Sequence, residues 1–165
     1  MVIQIDSREK PKAIKGIIEE FDRQGIVHPV SKLWIGDYMN YDNPRLVVDR
    51  KQNLIEVVSN VTHDHNRFRN EMLRAQQNGI KIIFLVEHGD GVESLEDVIF
   101  WENPRLHKTR RVNGQLTEYI TNATTGETLY KILRTIMRKY GCEFRFCTKE
   151  ETGRKIVEIL TEGVV

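Results

Sequence analysis

The sequence predicts an α/β fold, a mixed β-sheet flanked by helices and closed by a C-terminal helix-strand-helix. Three observations carry this prediction. Apolar residues recur at helical spacing in Ile14, Ile17, Ile18 and Phe21, and again in Leu129, Ile132, Leu133, Ile136, Met137 and Tyr140. Residues 80–86 form a β-branched, nearly unbroken apolar run, as expected of a central strand covered on both faces. Between them lie two extended segments separated by Asp42-Asn43-Pro44, a cluster of turn formers that reads as a hairpin.

Taken in order, residues 2–6 read as a strand ending in the charged tetrapeptide Asp6-Ser7-Arg8-Glu9. The first helix follows, with Pro11 suited to a first-turn position and Gly25 placed to end it. Segments 30–41 and 45–51 are the hairpin strands, paired about a turn centred on Asn43. A second helix starts near Thr62 or Asp64, buries Phe68, Met72 and Ala75, and stops at Gly79 before the buried strand. Residues 87–126 read as irregular and contain the basic run 105–111. The long C-terminal helix is opened by Thr124 with Glu127 three places on and closed by Gly141. A short strand, 143–147, leads to a last helix begun by Thr148 and Glu151 as another capping box. We read residues 1–165 as one domain with a motif core at 2–90, a basic loop region at 91–125 and C-terminal helices at 126–163.

A chain of 165 residues buries an adequate core without disulfides. Cys142 and Cys147 are separated by an odd number of positions, so in a strand they face opposite ways, which argues against a shared disulfide or zinc site. No apolar run is long enough to span a bilayer and no secretory leader is visible, so an intracellular, cytoplasmic protein with no membrane role is expected. The net charge of +1 gives no global sign of a nucleic-acid partner.

The chemistry is concentrated in Gly36-Asp37-Tyr38 and Val48-Asp49-Arg50-Lys51. In the proposed hairpin, residues whose numbers sum to 86 face each other, which sets Asp37 opposite Asp49 with Cβ atoms about 4.5–5.5 Å apart. Two carboxylates at that range repel unless a cation lies between them. Strand alternation puts Lys51 on the face of Asp49 and sends Arg50 the other way. Oxygen ligands beside an ammonium suit phosphodiester hydrolysis, with Asp37 and Asp49 as ligands of Mg²⁺ or Mn²⁺, the Arg50 carbonyl as an additional ligand and Lys51 orienting water or stabilising charge. An isolated Asp-x-Lys on a strand is more often a solvated, salt-bridged face; the Gly-Asp, the register and the apolar entry together raise the reading here.

Together with Ile5-Asp6-Ser7-Arg8-Glu9, these motifs resemble the nuclease domain of the XPF-type endonucleases, in the PD-(D/E)XK superfamily. The resemblance extends through Arg67-Phe68-Arg69 and Glu71, then Gly79 and the strand to Glu87. It implies a restriction-endonuclease-like fold and Mg²⁺-dependent cutting of one strand near branches or flaps, with Asp37, Asp49 and Lys51 catalytic and Asp6, Arg8 and Glu9 as supporting active-site residues. The acidic residue expected four places after the lysine is missing, because position 55 is Ile; Glu56 replaces it only if the chain is shifted by one. No tandem helix-hairpin-helix module follows.

Candidate DNA contacts are Arg67 and Arg74, on a helix face with His63 and Asn70, and Lys108, Arg110 and Arg111 in the basic loop; a solvated basic surface is the competing reading for all but Arg67. His63 and His65 are assigned capping or surface roles, and Trp34 and Trp101 packing. The expected function is a metal-dependent DNA endonuclease acting on branched DNA, with self-association as a homodimer through the apolar C-terminal helices. The alternative is a nuclease-like fold that has lost catalysis and serves as a DNA-binding or scaffolding subunit.

Overall fold

The computed structural model describes residues 1–164. Six strands make one mixed sheet in the order β2-β1-β3-β4-β5-β8. Strand β1 (Ile3–Asp6) runs parallel to β2 (Val30–Ser31) and antiparallel to β3 (Tyr38–Asn40), which is antiparallel to β4 (Asn43–Lys51). Strands β4, β5 (Lys81–Glu87) and β8 (Glu143–Cys147) are mutually parallel.

Side-chain parity then divides the core into two. Val47 of β4 and Ile82, Phe84 and Val86 of β5 pack with Leu54, Val57, Phe68, Met72, Leu129 and Leu133. Val48, Ile83 and Leu85 pack on the other side with Ile17, Phe21, Tyr38 and Ile156. Helices α2 (Leu54–Thr62), α3 (His65–Gln77) and α4 (Gly126–Tyr140) therefore cover one face, and α1 (Lys15–Arg23) and α5 (Thr152–Leu160) the other. With both faces of β5 covered, its sequence has no polar position between exposed Lys81 at its start and Glu87 at its end, which explains the apolar run. Cys142 and Cys147 fall into opposite clusters, as the parity requires. Burial pushes their thiols up to about 12 and about 11, so both are unreactive at neutral pH.

The helix ends follow their local chemistry with one correction. Gly25, Gly79 and Gly141 adopt positive φ at or just beyond the ends of α1, α3 and α4, and Thr148 and Glu151 form the reciprocal cap before α5. The cap of α4 is Thr125 rather than Thr124, its hydroxyl accepting from the Thr128 N–H at 3.2 Å. Gly126 then opens the helix against the carbonyls of Val98 and Trp101, where a Cβ would come within 2.3 and 2.4 Å. That close approach fixes where the helix starts.

Four stretches depart from the expectation. Residues 54–62, for which the sequence pattern predicts no element, form α2. Its β-branched Val57 and Val58 favour a strand locally, but burying Leu54, Val57 and Val58 at helical spacing outweighs that preference, and Asn53 caps the helix through the Glu56 N–H at 2.9 Å. Residues 91–125 are not a loop. A 3₁₀ turn at Glu96–Phe100 precedes a hairpin of β6 (His107–Val112) and β7 (Gln115–Ile120), outside the main sheet. Asn113 and Gly114 turn it with φ of 52° and 78°, a local signal that was present in the sequence. The β3–β4 turn is Tyr41-Asp42, with Asn43 and Pro44 already in β4 and a register slip between Met39 and Asn40. Residues 32–37 are irregular rather than a continuation of a strand.

Among the described residues no helix is long and apolar enough to cross a membrane.

Candidate active site

The slip in the β3–β4 hairpin restores the register that matters. Tyr38 pairs with Val48 and Met39 with Val47, pairs whose numbers sum to 86. One residue further, the Asp37 N–H donates to the Val48 carbonyl at 2.8 Å, and the Arg50 N–H donates to Asp37 Oδ2 at 2.8 Å. Because Tyr38 and Val48 point to the α1 side, Asp37 and Asp49 are turned to the α2/α3 side. Gly36 makes the bend before Asp37 with φ of 71°, and any Cβ there would lie 3.0 Å from Val47 Cγ2. Glycine at position 36 is thus required by backbone conformation and by close packing.

A cleft of about 400 Å³ opens on that face, lined by Asp6, Arg8, Glu9, Gly36, Asp37, Asp49, Arg50, Lys51, Glu56, Arg67 and Glu71. Lys51 Nζ lies 2.7 Å from Asp49 Oδ1, with both side chains over nine-tenths buried. Its ammonium also sits over the rings of Phe68 and Phe84, 5.7 and 5.5 Å from their centroids. Burial works against the charge on Lys51, but Asp49 outweighs it and holds its pKa above the ordinary lysine value.

The acids are in the opposite condition. Burial, then the charges of Asp49 and Glu9, push the Asp37 carboxyl well above the usual carboxylate range. Glu71 is raised by burial and by Asp49, while its Oε1 accepts from the Gly36 N–H at 3.1 Å. The cleft carries more buried negative charge than Lys51 neutralises.

Arg50 goes the other way, as its parity demands. It bridges Glu87 at 3.0 Å and Glu9 at 2.8 Å on the α1 side, all three side chains nearly buried, and Glu9 also accepts from the Tyr38 hydroxyl at 3.2 Å. Asp6 is buried and braces the neighbouring chain, accepting from the Leu33 N–H at 2.8 Å and from Arg8 Nε at 2.6 Å; Arg8 in turn donates to the Leu33 carbonyl at 3.0 Å.

Several sequence expectations change here. Helix α2 turns Ile55 into a neighbouring hollow of about 560 Å³ with His88 and Trp101, and turns Glu56 into the cleft. Glu56 therefore reaches the site with no shifted loop, though its carboxylate also accepts from the Gln52 N–H at 2.7 Å. Arg67 lines the cleft, whereas Arg74, Lys108, Arg110 and Arg111 do not. The last three stand on exposed β6, with Lys108 and Arg110 on one face of the hairpin, Arg111 on the other, and Arg110 5.1 Å over Tyr119. Glu71, noted as part of a helix motif but not as a site residue, is the member that sequence reasoning missed; its position one turn after Arg67 was the available signal. His63 and His65 sit on the surface and bond within the α2–α3 junction. Trp101 packs against the core, but Trp34 is 61% exposed, so packing is the wrong assignment for it.

Comparison with known proteins places this geometry. No curated protein sequence matches the chain. The solved structure of XPF from Aeropyrum pernix is similar with a TM-score of 0.61 at 17% identity, over 99% of this chain and 65% of that one. The same protein in complex with DNA gives 0.61 at 18%, over 99% and 64%. This chain thus spans less than two thirds of either structure's length, and at such identity the likeness is one of fold. The family model of the ERCC4 domain matches residues 5–159, nearly the whole length. The chain belongs to the ERCC4 domain family and has the fold of an XPF-type nuclease domain.

Proposed function

We propose that this chain is a divalent-metal-dependent DNA endonuclease, hydrolysing phosphodiester bonds at branched or flapped DNA. One observation carries the reading: the bend before β3, strand β4 and helices α2 and α3 bring Asp37, Asp49, Glu56 and Glu71 to a single cleft with one buried ammonium, Lys51. The donor set fits a hard cation. Carboxylates held close, with Asp37 and Glu71 pushed upward by burial and by a neighbouring acid, are arranged for charge that a cation would neutralise. Among the described residues no three Asp, Glu, His or Cys side chains form a cage by themselves, and Mg²⁺ or Mn²⁺ held by one or two carboxylates would keep water in its remaining positions. Asp37 and Asp49 would hold the ion, with the Arg50 carbonyl as a further oxygen. Bound there, it would polarise the phosphate and supply a water acidified to near neutrality.

The chain's own groups do the rest. Lys51, fixed by Asp49 and the two phenyl rings, presents its remaining N–H donors to a phosphate oxygen and to the attacking water. Glu71 holds the Asp37 loop through the Gly36 N–H. Arg67 at the cleft, and Lys108, Arg110 and Arg111 on the hairpin, bind flanking phosphates, which makes affinity fall with added salt. The inactive-scaffold alternative is favoured by the lack of an acid at position 55, whereas Glu56 in the cleft supports the catalytic reading. Helix α5 spends its apolar residues in the core, so a homodimer through the C-terminal helices would rest on half-buried Ile132 and Ile136 of α4.

The test is incubation of labelled linear, flapped, forked and four-way DNA with Mg²⁺ or Mn²⁺. Cutting of the branched forms is expected, abolished by EDTA. Binding with no cutting at any metal concentration would instead support the scaffold reading.

A second expectation needs no activity. The Asp37 carboxyl is raised in the folded state, so what it contributes to stability is present at low pH and is lost as pH rises through its folded value. At neutral pH Asp37→Asn keeps an oxygen for the Arg50 N–H and removes the repulsion, so the metal-free Tm should rise by roughly 2–4 °C. Mg²⁺ should raise the Tm of the parent protein and not of Asp37→Asn, since only a ligand bound to the folded state stabilises it. Equal Mg²⁺ shifts in both proteins would remove Asp37 from the ligand set.

A further inference from the structure

Trp34 is presented outward by a segment that is otherwise held tightly. Its neighbours Leu33 and Ile35 are buried, while the indole is 61% exposed. The Leu33 N–H donates to Asp6 and the Leu33 carbonyl accepts from Arg8. The Gly36 N–H donates to Glu71, and the Asp37 N–H to the Val48 carbonyl. Three of these side chains, Asp6, Arg8 and Glu71, line the acidic cleft, as does Gly36 itself. The backbone on both sides of Trp34 is therefore held against residues of the cleft, three residues before Asp37, while the indole stands open to solvent.

Single exposed apolar residues are ordinary on protein surfaces, and exposure alone would carry nothing. The difference here lies in the bracing. Two buried or half-buried polar side chains, Asp6 and Glu71, are committed to the backbone on either side of one outward indole. A braced backbone leaves only the side-chain torsions of the indole to be ordered on binding, which lowers the entropy lost. An open indole face recognises another π face, and beside a phosphate-binding cleft that face is a nucleobase. Bases inside a duplex keep their faces covered by their neighbours, so the partner is an unpaired base.

We propose that Trp34, carried on the backbone that Asp6 and Arg8 brace at Leu33, stacks on an unpaired nucleobase of the DNA strand led into the cleft. The proposal rests on the DNA-nuclease reading above and deepens it, because a stacking platform at the rim selects single-stranded character next to the cut. It gives Asp6 and Arg8 a task other than chemistry.

The chain contains two tryptophans, so Trp101→Phe leaves Trp34 as the sole indole reporter. In that background, with Asp49→Asn to stop cutting, the protein is titrated with a short oligothymidylate and with a matched duplex. Binding is followed by anisotropy of labelled DNA and stacking by indole emission with unlabelled DNA. Emission should be strongly quenched by the single strand and little changed by the duplex. Trp34→Ala should weaken single-strand binding about tenfold, and Trp34→Phe, which keeps a ring, should stay within about threefold. Because the residue is exposed, neither change threatens the fold. Binding with unchanged emission, or Trp34→Ala binding as tightly as the parent, overturns the stacking proposal alone. Absence of binding to any DNA overturns it together with the nuclease reading.

Discussion

Asp49→Asn and Lys51→Ala are each expected to lower the single-turnover rate of DNA cutting by about 10²–10³-fold while changing DNA affinity by less than about threefold. The two residues form one unit, an ion pair of 2.7 Å in which both side chains are nearly buried. Asparagine at position 49 keeps the volume and one oxygen but loses the charge that holds the ammonium and would bind a cation. Alanine at position 51 removes the positive group nearest to Asp49, leaving the buried carboxylates less neutralised. Effects of residues acting as a unit do not add, so the double variant should be no more than about tenfold slower than the worse single one. Melting curves must accompany the rates, since Lys51 without its partner is an uncompensated buried charge. A folded Asp49→Asn protein that cuts within tenfold of the parent rate would sink the assignment.

The largest loss of stability is expected at Arg50, whose side chain does no chemistry in this reading. Arg50→Met leaves Glu9 and Glu87 buried and without their cation, a situation that costs about 3–5 kcal/mol. At roughly 2–4 °C per kcal/mol for a chain of this size, the Tm should fall by about 10 °C. The pH dependence follows from sign. Burial already raises the Glu9 pKa, and Arg50 is what opposes that shift. Without Arg50 the folded pKa rises further, so the acid form is favoured and the deficit narrows as pH falls through the carboxylate range. Adding Glu87→Gln to Arg50→Met should restore part of the lost stability, because the two sites share one network. Chemical denaturation of the four proteins of the cycle measures this coupling. A coupling indistinguishable from zero would mean the bridge adds nothing.

Arg50 lies between Asp49 and Lys51 in sequence and points into the opposite half of the molecule, and that much needed only the period of a strand. Parity with a tight hairpin sets Asp37, Asp49 and Lys51 on one face and Arg50 on the other, whatever packs above them. The expected register is present although the turn lies at Tyr41-Asp42, since the slip at Met39/Asn40 compensates for the shorter loop. The covered strand β5, the glycine stops and the Thr148–Glu151 cap were legible for the same reason: each depends on residues within one turn or one strand.

What is decided by distant packing was not legible. Whether Val57 and Val58 lie in a helix or a strand depends on the face of the sheet available to bury them, and only with α2 formed does Glu56 enter the cleft while Ile55 leaves it. Glu71 joins because α3 crosses the same face and meets Gly36, 35 residues away. Asp6 and Arg8 matched a charged motif, yet their partners lie on Leu33, a contact made by the pairing of β1 with β2 and β3. Local geometry fixes which way a side chain points; only the assembled sheet and helices fix what it meets there.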